Sequence, residues 1–260
     1  MGILNATPDS FSDGGRHLDH TVALRAAREM RQAGAAWLDV GGESTRPGAA
    51  PVSVDEELRR VVPLVQALAA EGLGPISVDT SKGQVAAAAL DAGACLVNDV
   101  TAGADEALLA AVAAHRAGLC LMHMQGEPRI MQDAPNYADV VAEVMDFLAA
   151  RIERAIAAGV PRTAIVVDPG IGFGKTLSHN LALLRGLGHI AAALHRPVLV
   201  GLSRKRMISG MQGQDIPAVE RDALSHLVHV QVAGACGMLR VHDVPGAVRA
   251  LRMGLWRSDL

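Results

Sequence analysis

Aromatic residues and cysteines are scarce in this 260-residue chain. Phe, Trp and Tyr make up 2% of the sequence although apolar residues make up 50%, so the core must consist mainly of Ala, Leu, Val and Ile. This composition suits closely packed helices around small strands and disfavours a large β-sandwich, in which aromatic residues are enriched. The three cysteines, Cys95, Cys120 and Cys236, are odd in number and far apart. We therefore expect no disulfide framework or zinc site, but small buried thiols in the reducing cytoplasm.

The chain also lacks a basic excess and a long apolar segment. Its formal net charge is −3 and its pI is near 6.4, so bulk electrostatics predicts neither a nucleic-acid partner nor binding to a membrane surface. No run of about 18 apolar residues is free of charges, as a membrane-spanning helix would require. The first residues lack the basic region and cleavage site of a signal peptide, which again favours a cytoplasmic protein.

Short apolar runs alternate with longer Ala- and Leu-rich segments of helical periodicity. We predict eight strands, at residues 2–5, 36–40, 75–79, 95–98, 119–123, 164–168, 197–201 and 238–242. Helices are predicted near residues 21–33, 54–70, 82–92, 106–115, 138–158, 178–194, 217–235 and 245–256. Strands that alternate with helices in this way indicate a parallel sheet covered by helices.

Eight βα units without an intervening linker predict one domain over residues 1–260, of the α/β class, with the (β/α)8 TIM-barrel fold. A length of about 250 residues is typical of that barrel. Glycines at the ends of several predicted helices, Gly34, Gly93, Gly118 and Gly159, suit the left-handed cap that precedes each following strand. An open doubly wound sheet is the alternative that the same alternation allows.

Polar residues stand at the ends of nearly all predicted strands. They are Asn5, Asp39, Asp79, Asn98, His123, Asp168 and His242, with Lys205 just after the seventh strand. Each one alone could simply cap a strand or the next helix. In a barrel, however, all carboxyl ends of the strands meet at one rim, where catalytic groups collect. The set therefore predicts an active site whose carboxylates and amides hydrogen-bond a polar heterocycle.

Basic residues accompany this set, namely Arg46, Lys205, Arg240 and His242. The sequence places no acidic cluster beside them, so we expect them to bind an anionic ligand such as a phosphate or a carboxylate. The chain has no Ser–His–Asp spacing, HExxH motif or reactive-cysteine setting, so covalent catalysis is not predicted.

Three glycine-rich segments are predicted to be loops at the rim. Residues 169–176 read PGIGFGKT, but a phosphate-binding P-loop needs glycine where Pro169 stands. We interpret this segment as a sharp turn under a flat ligand held by Asp168. Residues 7–15 and 41–48 are rich in Gly, Ser and Asp. They are either lids over the rim or ordinary flexible surface loops.

The blocks MGILNATPDSFSDGG, LDVGGESTRPGA, ISVDTSK, LVNDVTAG, LMHMQGEP, DPGIGFGK, LVGLSRK and LRVHDV occur in this order from residue 1 to about residue 243. This ordered set closely resembles the dihydropteroate synthase family of folate biosynthesis. The resemblance implies a transferase that condenses 6-hydroxymethyl-7,8-dihydropterin diphosphate with 4-aminobenzoate, with Mg²⁺ as cofactor. It also implies a homodimer and inhibition by sulfonamides.

Matched positions give the site residues that this resemblance implies. Catalytic roles would fall to Lys205, Asp79, Asp168, Arg240 and His242. The pterin would be bound by Asp79, Asn98, Asp168 and Lys205, and the diphosphate by Asn5, Thr45, Arg240 and His242. The aminobenzoate would be bound by Phe11, Thr45, Arg46, Pro47, Lys205 and Arg206, and Mg²⁺ would lie near Asn5 and Asp13.

Two departures from the family pattern leave alternatives open. Arg206 stands where the family usually has Ser, a residue that helps to bind the aminobenzoate carboxylate, so Arg206 would either form a salt bridge with that group or obstruct it. The family also usually carries a short segment before the first strand. One alternative is therefore a pterin-binding paralogue with an altered aminobenzoate site. Another is a pterin-binding methyltransferase domain, which should lack the STRPG and SRK blocks present here.

Overall fold

The computed structural model describes residues 1–6, 16–44, 50–126 and 130–254. Its strands are β1 (Gly2–Asn5), β2 (Leu38–Gly41), β3 (Ile76–Asp79), β4 (Leu96–Asp99), β5 (Gly118–Met122), β6 (Ile165–Asp168), β7 (Leu199–Val200) and β8 (Met238–Leu239). Its helices are α1 (Arg16–Gln32), α2 (Val54–Ala70), α3 (Gly83–Asp91), α4 (Glu106–His115), α5 (Val140–Ala157), α6 (Leu177–Leu194), α7 (Arg206–Gln212), α8 (Asp222–Val232) and α9 (Val244–Gly254).

The strands close into a parallel barrel. Strands β1 to β6 pair in sequence order, and β7 pairs with β8. Two single parallel bridges join these sheets, Val167 with Val198 and Gly2 with Val241. Because the last strand returns to the first, the sheet has no open edge. The prediction of a (β/α)8 TIM barrel is thus confirmed, and the open doubly wound sheet was the wrong alternative.

Small aliphatic side chains fill two concentric layers, as the scarcity of aromatic residues predicted. Between strands and helices lie buried Leu, Val, Ile and Ala side chains from all parts of the described chain. A second, smaller cluster of Met1, Leu96, Cys120 and Leu199 fills the barrel interior. Side chains two residues apart on a strand share a face, so Asp168 lies above Val166 on the interior face of β6. The apolar interior therefore forms the floor of the polar rim.

Left-handed residues end several helices, but one predicted cap was wrong. Gly34, Gly93 and Gly159 have φ of 104°, 114° and 97°, which suits glycine because it has no Cβ. After α4, however, Arg116 takes the left-handed conformation with φ 52°. Gly118 instead begins β5, where a Cβ would collide with Leu96.

The structure corrects three further predictions. Helix α7, between β7 and β8, was missed. The helix predicted at residues 217–235 is present, as α8 with a 3-10 turn before it at Ala218–Arg221 and another after it at Ala233–Ala235. Strands β7 and β8 are each two residues long, shorter than the five residues predicted for each. Cys120 is buried, but Cys95 is exposed and Cys236 is half-buried, so the cysteines do not form one buried class. No helix in the described part of the chain is long and apolar enough to cross a membrane.

Candidate functional site

Side chains from four strands meet inside the carboxyl-terminal rim. Arg240 follows β8 and donates from Nε to Asp39 Oδ2 at 2.5 Å and from one Nη to Asp79 Oδ2 at 2.6 Å. Asn98 Nδ2 also donates to Asp39 Oδ2, at 3.2 Å. A Cβ placed on Gly201 would lie 3.9 Å from the Arg240 side chain and 4.0 Å from Asp168 Oδ2, so Asp168 borders the same space.

We call Asp39, Asp79, Asn98, Asp168, Lys205 and Arg240 the rim cluster. Its contacts correct one expectation from the sequence, that the basic residues have no acidic neighbours. Arg240 forms ion pairs with two carboxylates, and Asp39 is fully buried. An unpaired carboxylate at that depth would be costly, so the arginine stabilises the two acids. The cluster therefore combines acidic and basic groups in one small volume.

Burial shifts the ionisation of these groups toward their neutral forms. It raises the pKa of Asp79 to about 7, although the charge of Arg240 opposes this effect. It likewise raises the pKa of Asp168, with Lys205 opposing. Burial lowers the pKa of Lys205 to about 8, against the attraction of Asp168. Near neutral pH the cluster can thus hold its protons in more than one arrangement, as clefts that bind substrates often do.

Lys205 joins the rim cluster to the loop after β6. This residue is the N-cap of α7 and makes no capping bond with its side chain. Its Nζ donates to the carbonyl oxygen of Ile171 and lies 4.3 Å from the centre of the Phe173 ring. An ammonium group above an aromatic face is attracted by the ring quadrupole. The apolar part of a flat ligand could therefore contact Phe173 where its polar edge meets Lys205.

The glycines of loop 6, residues 169–176, permit a tight turn against β5. Gly170 and Gly174 have φ of 69° and 61°, a region that L side chains rarely adopt. A Cβ on Gly170 would overlap the carbonyl group of His123, and one on Gly174 would overlap that of Gln125. Asp168 Oδ1 accepts from Gly170 N at 2.7 Å. The turn predicted beside Asp168 is present, and the lysine of this loop, Lys175, is buried and not presented to a phosphate.

The eighth strand places a second polar pair at the rim. His242 Nδ1 lies 3.0 Å from Ser203 Oγ, which also accepts from the His242 backbone N–H at 3.2 Å. Asn5 ends β1 on the same rim, and it is partly exposed. These residues flank the rim cluster on the β1, β7 and β8 side, where the sequence predicted the anion site.

Three consecutive basic residues, Arg204, Lys205 and Arg206, follow β7, and their side chains have different surroundings. Arg204 turns away from the rim and forms a two-point ion pair with Asp222, with N–O distances of 2.8 Å and 2.7 Å. Lys205 points toward Asp168 and loop 6, as described above. Arg206 is the first residue of α7 and is exposed. Only the middle residue of this triplet thus belongs to the rim cluster.

Five of the residues implied by the resemblance lie outside the described residues: Phe11, Asp13, Thr45, Arg46 and Pro47. Among those described, the structure brings together Asp79, Asn98, Asp168, Lys205 and Arg240, with Asn5 and His242 beside them. Sequence reasoning gave no role to Lys175. The available signal was its position in a Gly-Lys-Thr triplet, but we considered that triplet only as part of a P-loop.

Comparisons with known proteins agree with this geometry. The family model described as "Pterin binding enzyme" matches residues 1–242. The chain is 46% identical over 253 residues to the dihydropteroate synthase of Escherichia coli (strain K12), covering 97% of this chain and 89% of that protein.

Two solved structures are similar over nearly their whole length. The Xanthomonas albilineans dihydropteroate synthase with 4-aminobenzoic acid has a TM-score of 0.89 and 47% identity, covering 97% of this chain and 90% of that one. The Yersinia pestis dihydropteroate synthase in a sulfonamide drug complex has a TM-score of 0.90 and 45% identity, covering 97% and 91%. Sequence, fold and rim residues lead to the same assignment: the chain belongs to the dihydropteroate synthase family of pterin-binding enzymes.

Proposed function

We propose that this enzyme condenses 6-hydroxymethyl-7,8-dihydropterin diphosphate with 4-aminobenzoate, giving 7,8-dihydropteroate and diphosphate. The C–O bond to the diphosphate breaks, a C–N bond to the arylamine forms, and the amine loses a proton. The observation that carries this proposal is the rim cluster, in which buried carboxylates, an amide and two basic groups line one space. A polar bicyclic ring with several N–H groups and acceptors matches this arrangement.

The pterin would be bound by those side chains of the rim cluster that have an acceptor oxygen or a donor proton not used in bonds within the protein. Asp168 uses Oδ1 for Gly170 N, so Oδ2 can accept from the N–H edge of the aminopyrimidine. Asn98 donates to Asp39 through Nδ2, which leaves its carbonyl oxygen as an acceptor. Asp79, whose pKa is about 7 because of burial, can accept or donate at a ring nitrogen. The rim cluster thus recognises both donors and acceptors of the ring.

The leaving diphosphate would lie toward Asn5 and His242, with Arg240 as a cation that stays charged at neutral pH. Mg²⁺ would supply further positive charge there when bound with the diphosphate. In the described residues there is no group of three His, Cys, Asp or Glu side chains that could hold a metal by itself. Mg²⁺ commonly uses one or two protein oxygens together with substrate phosphates. The amide oxygen of Asn5 fits that mode, and Asp13 is the second protein ligand that we propose.

A diphosphate-release assay tests the proposed reaction. We expect the purified enzyme to release diphosphate from the pterin substrate rapidly when both 4-aminobenzoate and Mg²⁺ are present, and slowly without the amine. The arylamine is itself nucleophilic, so no side chain has to act as a covalent nucleophile. Binding of the pterin substrate without amine-dependent release would contradict the proposal and favour the non-catalytic paralogue.

Arg206 follows Lys205 at the start of α7, and we propose that it lies on the aminobenzoate side of the site. We expect Arg206→Ser to change the KM for 4-aminobenzoate at least about tenfold while the KM for the pterin diphosphate changes less than about twofold. The physical reason is that one exposed charge near a carboxylate acts over a short range. Steady-state kinetics with each substrate varied in turn measures both constants. Equal changes in the two constants would show that Arg206 has no particular relation to aminobenzoate.

We also propose that 4-aminobenzoate analogues of the sulfonamide class inhibit this enzyme by competition. The similarity to the Yersinia pestis enzyme, solved in a sulfonamide drug complex, supports this. A cytoplasmic location is a further proposal. It is supported by the absence of disulfides among Cys95, Cys120 and Cys236, since thiols stay reduced in that compartment.

A homodimer is proposed through the outer face of α8 and α9. On α8, Val228 and Val232 are buried against the barrel, whereas Leu227 is 63% exposed. Met253 near the end of α9 is 75% exposed, and Gly254 next to it packs close to Val230 of α8. The buried and exposed apolar residues of α8 thus lie on different faces. We propose that Leu227 and Met253, which are exposed on neighbouring helices, lie in a contact between two copies of the chain.

We expect Leu227→Arg to convert the dimer to a monomer, because a charge at the centre of an apolar contact cannot be solvated or paired. Size-exclusion chromatography with light scattering measures the mass of each species. Ile130→Arg is the matched control, since Ile130 is similarly exposed, at 58%, but lies in the loop after β5. A Leu227→Arg protein that remains dimeric would refute this interface.

A further inference from the structure

Lys175 is a buried basic residue beside the end of β5, and the proposed reaction assigns it no role. Only 3% of this residue is exposed, although it belongs to loop 6 and stands one residue before the N-cap of α6. Lysine is almost never this deeply buried without partners. Its position therefore calls for a specific set of contacts.

The contacts of Lys175 join loop 6 to the end of β5. Its Nζ donates to His123 Nδ1 at 2.9 Å and to the carbonyl oxygen of Phe173 at 2.9 Å, with the carbonyl oxygen of His123 at 3.4 Å. His123 must accept at Nδ1, so its ring is neutral at that atom. In agreement, burial and the charge of Lys175 lower the pKa of His123 to about 3. The polar residue predicted at the end of the fifth strand is thus an acceptor for Lys175.

Lys175 also lies close to the carboxylate of the rim cluster. A Cβ on Gly170 would be 3.3 Å from Lys175 Nζ, and the backbone N–H of Gly170 is the group bound to Asp168 Oδ1. The other charged or titratable groups around Asp168 are Lys205, Arg240 and the buried Cys120. Around Lys175 they are His123, Asp168, Lys205 and Tyr137, whose ring centre is 6.0 Å away. Burial lowers the pKa of Lys175 to about 7, against the attraction of Asp168. Lys175 is therefore a cation next to Asp168 below about pH 7, and Gly170 links the two residues.

We propose that Lys175 is a positioning residue for pterin binding: its ammonium group fixes loop 6 to β5 and keeps Asp168 ionised as an acceptor for the pterin N–H groups. This inference rests on the proposed function, because it assigns Asp168 to the pterin edge. Lys205 and Arg240 approach the ligand space directly, whereas Lys175 acts through Asp168 and the loop backbone. Removal of Lys175 should consequently weaken pterin binding without direct loss of a ligand contact.

The test measures binding of pterin-6-carboxylate, a pterin without a leaving group, by titration calorimetry from pH 5 to pH 9. A cation near an aspartate lowers its pKa by one unit or more, so loss of Lys175 should raise that of Asp168. For Lys175→Met we expect a shift of one unit to weaken binding by up to about tenfold at the acidic end of this range and by less near pH 8. We also expect the acidic limit of binding to move upward by about one pH unit. The KM for 4-aminobenzoate should change less than twofold.

Two further variants separate the effect of the Lys175 charge from the effect of anchoring loop 6 to β5. Tyr137→Phe removes a neutral anchor of the same loop, the bond from Tyr137 Oη to the Gly174 carbonyl oxygen at 2.9 Å, and should not move the pH dependence. Lys175→Gln keeps an N–H donor without the charge. It should fold even where Lys175→Met does not, and it should show the same upward shift. Unchanged affinity and pH dependence in the folded variants would overturn the inference. Failure of the wild-type enzyme to release diphosphate would instead refute the proposed reaction.

Discussion

Lys205→Ala is expected to lower kcat/KM by about a thousandfold or more while the protein stays folded. The side chain contacts the carbonyl oxygen of Ile171 and the Phe173 ring, and it supplies one of the charges around Asp168. Removal of a preorganised cation or donor from an active site typically costs a factor of a hundred to a thousand or more. The lysine makes no side-chain cap bond with α7, so the helix should tolerate alanine.

The measurement is steady-state diphosphate release, together with circular dichroism and thermal unfolding of the same samples. Arg204→Ala is a useful comparison, because the neighbouring arginine pairs with Asp222 away from the rim. It should lower stability more than activity, whereas Lys205→Ala should show the reverse. Full activity in Lys205→Ala would remove Lys205 from the site.

Arg240→Met is expected to destabilise the fold and abolish activity together. The variant leaves Asp39, which is fully buried, and Asp79 without the cation that bridges them. Removing one partner of a buried ion pair costs about 3–5 kcal/mol. Urea denaturation with a fluorescence or circular dichroism signal gives the free energy of unfolding. Activity should also fall, because Arg240 borders both the proposed pterin and diphosphate sites.

The pH dependence of this loss has a definite sign. The pKa of Asp79 is raised to about 7 by burial even with Arg240 present. A carboxyl group with a raised pKa in the folded state costs stability above that pKa, and the cost disappears as pH falls toward the unfolded value. The destabilisation by Arg240→Met should therefore be largest near pH 8 and smaller near pH 5.

The double variant Arg240→Met/Asp39→Asn provides the control. It removes one buried charge together with the cation, so it should recover much of the stability but none of the activity. An Arg240→Met protein as stable as the wild type would show that the two carboxylates do not depend on Arg240.

The periodicity of the chain was sufficient to predict the barrel, because each βα unit carries its own local signal. Helix α7 was missed since its seven residues include Gly210 and follow a basic run, which obscures a helical pattern. The exact pairing of β7 and β8 depends on barrel closure through Val241 and Val198. That closure is a long-range property and not a local one.

The rim residues were predictable as a set, but their partners were not. The contact between Arg240 and Asp39 joins residues 201 positions apart, so only the closed barrel shows that the arginine has acidic neighbours. The bond of Lys175 to His123 spans 52 positions and depends on the turn at Gly170. Residue types at strand ends therefore indicate which chemistry is present, whereas the fold decides which charges are neutralised.

The rim cluster contains three carboxylates, Asp39, Asp79 and Asp168, and two basic side chains, Lys205 and Arg240, and Lys175 lies beside it. These opposite charges nearly cancel, so the floor of the site presents little net field to an approaching molecule. Dissolved salt screens interactions between net charges over about 10 Å at 0.1 M ionic strength. The affinity for an uncharged pterin ring should consequently change little with salt concentration. The ionic-strength sensitivity of the enzyme should reside in the capture of the diphosphate and of the aminobenzoate carboxylate.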